Sequence, residues 1–152
     1  MLMKKSFVFL FSLVILSGHL IAQKSETSMP FPPTAVSKQL RVEFPDITNE
    51  IWKKDQGNNY EASFTLNGLS VKALFDEFGN ELQLETVLPI SQLHLNASQY
   101  IAANYPGYSI LQLAKNESGG EILYFVKVNK DKPNSLRIVF DINGNYVKTL
   151  FE

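Results

Sequence analysis

Residues 60–80 read YEASFTLNGLSVKALFDEFGN. Tyr60, Ala62, Phe64 and Leu66 alternate with Glu61, Ser63 and Thr65, the two-residue period of a strand with one buried face. Asn67-Gly68 follows at once and specifies a tight hairpin, because both central positions of that turn need positive φ. Leu69, Val71, Ala73 and Phe75 form the next inward row. Asp76 to Gly79 then suits a type I turn closed by a left-handed glycine. Leu82 and Leu84 continue in a further strand, and Trp52 lies in a short strand before Tyr60. Upstream, Val36, Leu40 and Phe44 mark one face of a helix that opens at Pro33-Thr34, with Thr34 as its cap, and stops at Pro45. The segment therefore reads as a helix followed by four antiparallel strands.

The same order recurs further along the chain. Phe44-Pro45 is echoed by Tyr105-Pro106, Tyr60 to Phe64 by Tyr124 to Val128, and Phe75 to Asn80 by Phe140 to Asn145. A second helix is expected from about Pro89 to Tyr105, with Leu93, Ala97, Tyr100, Ile101 and Tyr105 as its buried stripe and Pro106-Gly107 as its stop. Strands follow near Tyr108 to Ala114, Glu121 to Asn129, Ser135 to Asp141 and Tyr146 to Phe151, with turns at Asn116 to Gly120 and Asn129 to Asn134. The expected fold class is α+β: a tandem repeat of two helix-plus-four-strand units, 34–88 and 89–152, with an antiparallel sheet and helices packed on one face. The opposite face is expected to meet water.

Ahead of this domain the chain has a different character. Lys4 and Lys5 precede the apolar run from Phe7 to Leu16, and Leu20-Ile21-Ala22 ends the segment. That order is a secretory signal peptide over 1–22, with the cut expected after Ala22. Its apolar core falls well short of the roughly 20 residues that span a bilayer, so no membrane span is expected after cleavage. Residues 23–33, polar and then proline-rich, read as a flexible lead-in. An exported protein, periplasmic or extracellular, is the expectation.

Composition narrows the chemistry. The chain has 152 residues, 45% apolar and 19% charged, which fits a folded globular domain. A net charge of -1 provides no basic excess for a nucleic-acid backbone. The absence of cysteine excludes disulfides, thiolate nucleophiles and cysteine-based metal sites. No glycine-rich phosphate loop follows a strand, and no serine stands in a nucleophile elbow. His94 is the single histidine beyond the signal and reads as a solvated helical residue. Asp141-Ile142-Asn143-Gly144-Asn145 has a slight likeness to the start of a calcium loop. Its glycine falls at position four instead of six, and a turn accounts for the same residues. The sequons at Asn96 and Asn116 read as a helix start and a turn. No catalytic residue, cofactor site or metal site is expected.

The helix ending in "FP", the "NEIWKKDQGNNYEASFTLNG" and "VKALFDEFGNEL" that follow it, and the second set "YP", "ILYFVKVNK" and "IVFDINGNYV" carry a resemblance. The chain resembles the PepSY-like proteins with a β-lactamase-inhibitor-like fold that are exported by Bacteroidetes-type bacteria. The likeness spans nearly all of Pro33 to Phe151. It implies a non-enzymatic domain that binds a protein across an exposed concave sheet, and it brings no catalytic residues with it.

The strands facing away from the helices then become the candidate site. In the first unit that row is polar: Glu61, Ser63, Thr65 and Lys72, with Leu74. In the second it is Leu123, Phe125, Lys127, Arg137 and Val139. Apolar groups flanked by cations suit a protein-binding surface. The same apolar residues also suit packing between the units or under a loop, and the sequence leaves both open. Two functions follow: binding of an envelope protein partner, in inhibitor-like manner, through the sheet face, or non-catalytic sensing of an envelope small molecule or polymer.

Overall fold

A computed structural model of the chain describes residues 31–130 and 135–151. The expected signal segment and most of the lead-in lie outside the described residues, as does the middle of the turn expected between Asn129 and Asn134. The described elements are α1 (Thr34–Glu43), β1 (Ile51–Lys54), β2 (Tyr60–Leu66), β3 (Leu69–Phe75), β4 (Glu81–Leu88), α2 (Leu95–Asn104), β5 (Ser109–Ser118), β6 (Glu121–Asn129), β7 (Ser135–Phe140) and β8 (Tyr146–Phe151). A 3-10 turn over Ile90–Gln92 precedes α2. The second helix is thus shorter at its start than the stripe from Pro89 suggests. Leu93 is extended there, and His94 caps the helix instead of lying within it.

All eight strands form one antiparallel sheet in chain order. β4 pairs with β5, from Leu84 opposite Glu117 to Leu88 opposite Leu113, so the two helix-plus-four-strand segments share a continuous sheet. The fold is α+β, with both helices against the same face. Val36 and Leu40 of α1 pack with Ala62, Phe64, Val71, Ala73 and Phe75. Ala97 and Ile101 of α2 pack with Leu113, Val126, Val128, Ile138 and Phe140. The cross-strand ladders Phe64–Val71–Thr86–Lys115–Tyr124–Phe140 and Leu88–Leu113–Val126–Ile138 put these rows on one side. Burial of such rows is the main stabilising term in a sheet of this kind.

Several local devices occur in both segments. Phe44 and Tyr105 close α1 and α2 with nearly the same backbone angles, each amide donating at 2.8 Å to the carbonyl four residues earlier. Tyr60 stands opposite Phe75, and Tyr124 opposite Phe140. Past each phenylalanine comes a loop held by an aspartate. Asp76 Oδ1 accepts from the amides of Phe78 and Asn80, both at 2.9 Å, and Oδ2 accepts from Asn80 Nδ2 at 2.7 Å. Asp141 does the same with Asn143 and Asn145. Gly79 and Gly144 occupy the fourth position with φ of 92° and 75°, as the turn chemistry predicts. A third loop of this design, Asp55 to Asn59, joins β1 to β2 with Asn58 in the left-handed position. The remaining described hairpin turns are Asn67-Gly68 and Gly119-Gly120, with positive φ throughout.

The caps differ from expectation in one respect. Pro33, not Thr34, is the N-cap of α1, and it offers no side-chain acceptor. Arg41 instead ties the end of that helix to the next loop, hydrogen-bonding the Ile47 carbonyl and pairing with Glu50.

Candidate functional site

Direct opposition across the strands defines the face away from the helices. One ladder runs Ser63–Lys72–Glu85–Asn116–Leu123, and a second runs Val87–Ala114–Phe125–Val139–Lys148. The sheet curls toward this side, because Lys72 of β3 and Arg137 of β7 line the same hollow although three strands separate them. That hollow, about 110 Å³, is completed by Glu85, Gln112, Ala114, Phe125 and Lys127. A second hollow of about 240 Å³ shares Lys72, Glu85 and Arg137 and extends over Glu61, Leu74 and Gln83.

The structure divides the predicted row. Leu123, Phe125, Lys127 and Arg137 are half-buried and keep part of their surface on the open side. Phe125, Lys127 and Arg137 come together in the smaller hollow, where the Arg137 guanidinium lies 5.6 Å from the centre of the Phe125 ring. Leu123 stands farther along the face, opposite Asn116. Val139 is a correction: it is 0% exposed and presents nothing to a partner. It lies deep in the curl between Phe125 and Lys148, and period-two alternation reports the face of a residue but not the curvature that encloses it. Sequence reasoning did not include Glu85 and Gln112, which complete the hollow from β4 and β5. The alternation Gln83, Glu85, Val87 was the available signal, but it lacked meaning until β4 was known to pair with β5.

Asn116 is buried on this face at 6% exposure, and its Nδ2 has no acceptor among the described residues. A buried donor without a partner costs about 1–3 kcal/mol, which makes Asn116 a destabilising polar group in the sheet.

Elsewhere the titratable groups serve local structure. His94 Nδ1 accepts from the Asn96 amide at 3.1 Å, and Asn96 Nδ2 donates to the Asn143 carbonyl at 3.0 Å. The start of α2 is thereby fastened to the Asp141 loop, and a β-carbon at Gly144 would sit 2.5 Å from His94 Nδ1. In the first segment a β-carbon at Gly79 would meet the Ala35 carbonyl at 2.9 Å. The carboxyls of Asp55, Asp76 and Asp141 are each held below the usual aspartate range, first by the asparagine side chain that closes the loop. Both oxygens of each already accept N–H donors, so each carboxylate is satisfied by neutral donors of its own loop. Glu81 is pushed up to about 7, first by loss of water around its carboxyl, then by a hydrogen bond with Glu43 and repulsion from Glu43 and Glu117. Among the described residues no histidine, aspartate or glutamate group is arranged to hold a metal ion. No helix there is long and apolar enough to cross a membrane.

Several solved structures share this fold. A DUF2874 family protein from Bacteroides uniformis superposes with a TM-score of 0.73 at 19% identity, over 80% of this chain and 90% of that one. A proposed periplasmic protein from Bacteroides eggerthii gives 0.73 at 16% identity, over 80% and 90%. A BLIP-like protein from Bacteroides fragilis gives 0.67 at 21% identity, over 80% and 88%. No family model matches the chain, and no curated protein matches it. The fold is thus the one these Bacteroides proteins share, in agreement with the resemblance carried by the sequence motifs.

Proposed function

We propose that the chain is an exported, non-catalytic binding module that engages another protein through the open face of its sheet. The observation that carries this reading is the hollow itself. An aromatic ring, an arginine stacked on it and a lysine converge where the sheet curls, and part of each remains accessible. Half-exposed aromatic and arginine side chains in a concavity are the groups that dominate protein interfaces. Export is supported by the charged, apolar and small-residue order of 1–22 and by the periplasmic description of the Bacteroides eggerthii structure. We also infer that the two segments are copies of one unit. The matching C-terminal helix caps, tyrosine–phenylalanine pairs and aspartate loops support that reading.

Phe125→Ala tests the binding face. Captured from envelope extracts, a stoichiometric protein partner should be lost with the variant. The variant's stability should fall well short of the roughly 3–5 kcal/mol loss of a core phenylalanine, because the ring is only half-buried. A full core-sized loss would make Phe125 structural. Retention of the partner by a folded variant would move the interface elsewhere. Absence of any protein partner, with a small molecule or polymer retained by wild type, would favour the sensing function.

A further inference from the structure

The charges on the open face specify the partner, an inference that rests on the binding reading above. Lys53, Lys72, Lys127, Arg137 and Lys148 all stand on this face by register, against Glu61, Glu85 and Glu121, the last at the far end of β6 from Lys127. Five cations against three carboxylates is a positive surface on a chain whose net charge is -1. The surplus is focused. Lys127 and Arg137 are directly opposed on neighbouring strands, and Lys72 reaches the same hollow from β3. Like charges placed opposite each other in a sheet work against its stability. Enclosure between low-dielectric walls strengthens their combined field. The Arg137 guanidinium is also oriented by the Phe125 ring beneath it.

We propose that this face docks an acidic segment of a partner protein, seating a carboxylate among Lys72, Lys127 and Arg137 and an apolar side chain against Phe125. Guanidinium recognises a carboxylate through paired hydrogen bonds, which gives the contact direction as well as charge. A polypeptide suits the face better than a uniformly charged polymer. Glu85 lines the hollow and Glu61 the adjoining one, so an anion on every unit of a polymer would meet repulsion. A peptide can place one carboxylate beside one apolar side chain.

Fluorescence anisotropy with short peptides carrying a neutral dye tests this. The probes are a peptide alternating glutamate and phenylalanine, its counterpart with lysine for glutamate, and heparin as competitor. The acidic peptide should bind wild type at least about tenfold more tightly than the basic one, and added salt should weaken it. Lys72→Glu, at an exposed position, and Arg137→Glu should each reduce that affinity by about tenfold or more. Equal or tighter binding of the basic peptide overturns the proposal, as does no binding by either at millimolar concentration. Heparin that displaces the peptide and binds more tightly also overturns it, in favour of a polyanion. If the basic peptide binds and Phe125→Ala abolishes that binding, the acidic preference fails while the binding face stands. If Phe125→Ala leaves acidic-peptide affinity and its Lys72 dependence unchanged, the carboxylate contact stands and the role given to Phe125 fails.

Discussion

In the first helix-and-strands segment, β1 is four residues long and lies at the rim of the sheet, with Lys53 and Lys54 exposed. In the second, β5 runs ten residues through the middle and is paired on both sides. The C-terminal helix caps, the tyrosine–phenylalanine pair and the aspartate loop after it are alike in both segments. What changes is position in the sheet. A short edge strand bearing lysines resists further pairing. An interior strand in a curled sheet is covered by its neighbours, so Ala114, Asn116 and Val139 become buried on the side that alternation alone assigns to water. The open face carries Glu61, Ser63 and Lys72 over the first segment and Phe125, Lys127 and Arg137 over the second.

The strongest way to break this comparison is to empty matched core positions. Phe75 and Phe140 are both 0% exposed, and replacement of either by alanine should cost about 3–5 kcal/mol in chemical denaturation. A large inequality between them would show that one segment carries the stability of both. Glycine replacements sharpen it. Gly79→Ala and Gly144→Ala should each cost at least about 1–2 kcal/mol for the left-handed conformation. Gly79→Ala should cost more, because its new methyl meets helix backbone, whereas at Gly144 it meets the His94 side chain. Melting temperatures of the pair give the order, and the reverse order would mean that His94 is the more rigid neighbour.

The aspartate loops predict a pH response. Their folded-state carboxyls sit below the ordinary value of 3.8, so the stability they add is present above that value and is lost as pH falls through the depressed one. Asp76→Ala and Asp141→Ala should each lower the melting temperature at neutral pH and flatten its decline in acid. An unchanged acid profile would contradict the loop account. Glu81 has the opposite sign. Its value is raised from 4.5 to about 7, so its contribution is complete below 4.5 and is lost as pH rises through about 7. Glu81→Gln should match wild type at pH 4 and exceed it at pH 8 by less than about 1 kcal/mol, since water screens the group. A difference confined to low pH would refute the assignment.

How much of this was legible depends on how locally each feature is encoded. Asp76 to Asn80 and Asp141 to Asn145 could be read because the glycine at the fourth position announces the left-handed angle. The loop at Asp55 escaped because Asn58 fills that position, although its aspartate and asparagine are four apart like the others. His94 gave no sign of its capping role, since histidine is not among the favoured capping residues. The positions of Leu123, Phe125, Lys127 and Arg137 on one face followed from alternation. Their convergence with Glu85 and Lys72 did not, because it depends on the pairing of β4 with β5 across residues 89–108 and on the curl of the whole sheet.

The order β1 to β8 also bears on how the chain folds. Every strand pairs with its neighbour in sequence, so most of the sheet can assemble by successive short hairpins. Only the β4–β5 pairing must wait for a longer segment, 89–108, to close, and α2 shortens that span as it forms. Local pairing of this kind speeds folding relative to sheets built from distant strands. The join between the segments is therefore the step expected to set the rate, and substitutions along β4 and β5 should slow refolding more than equally destabilising ones in β2 or β7.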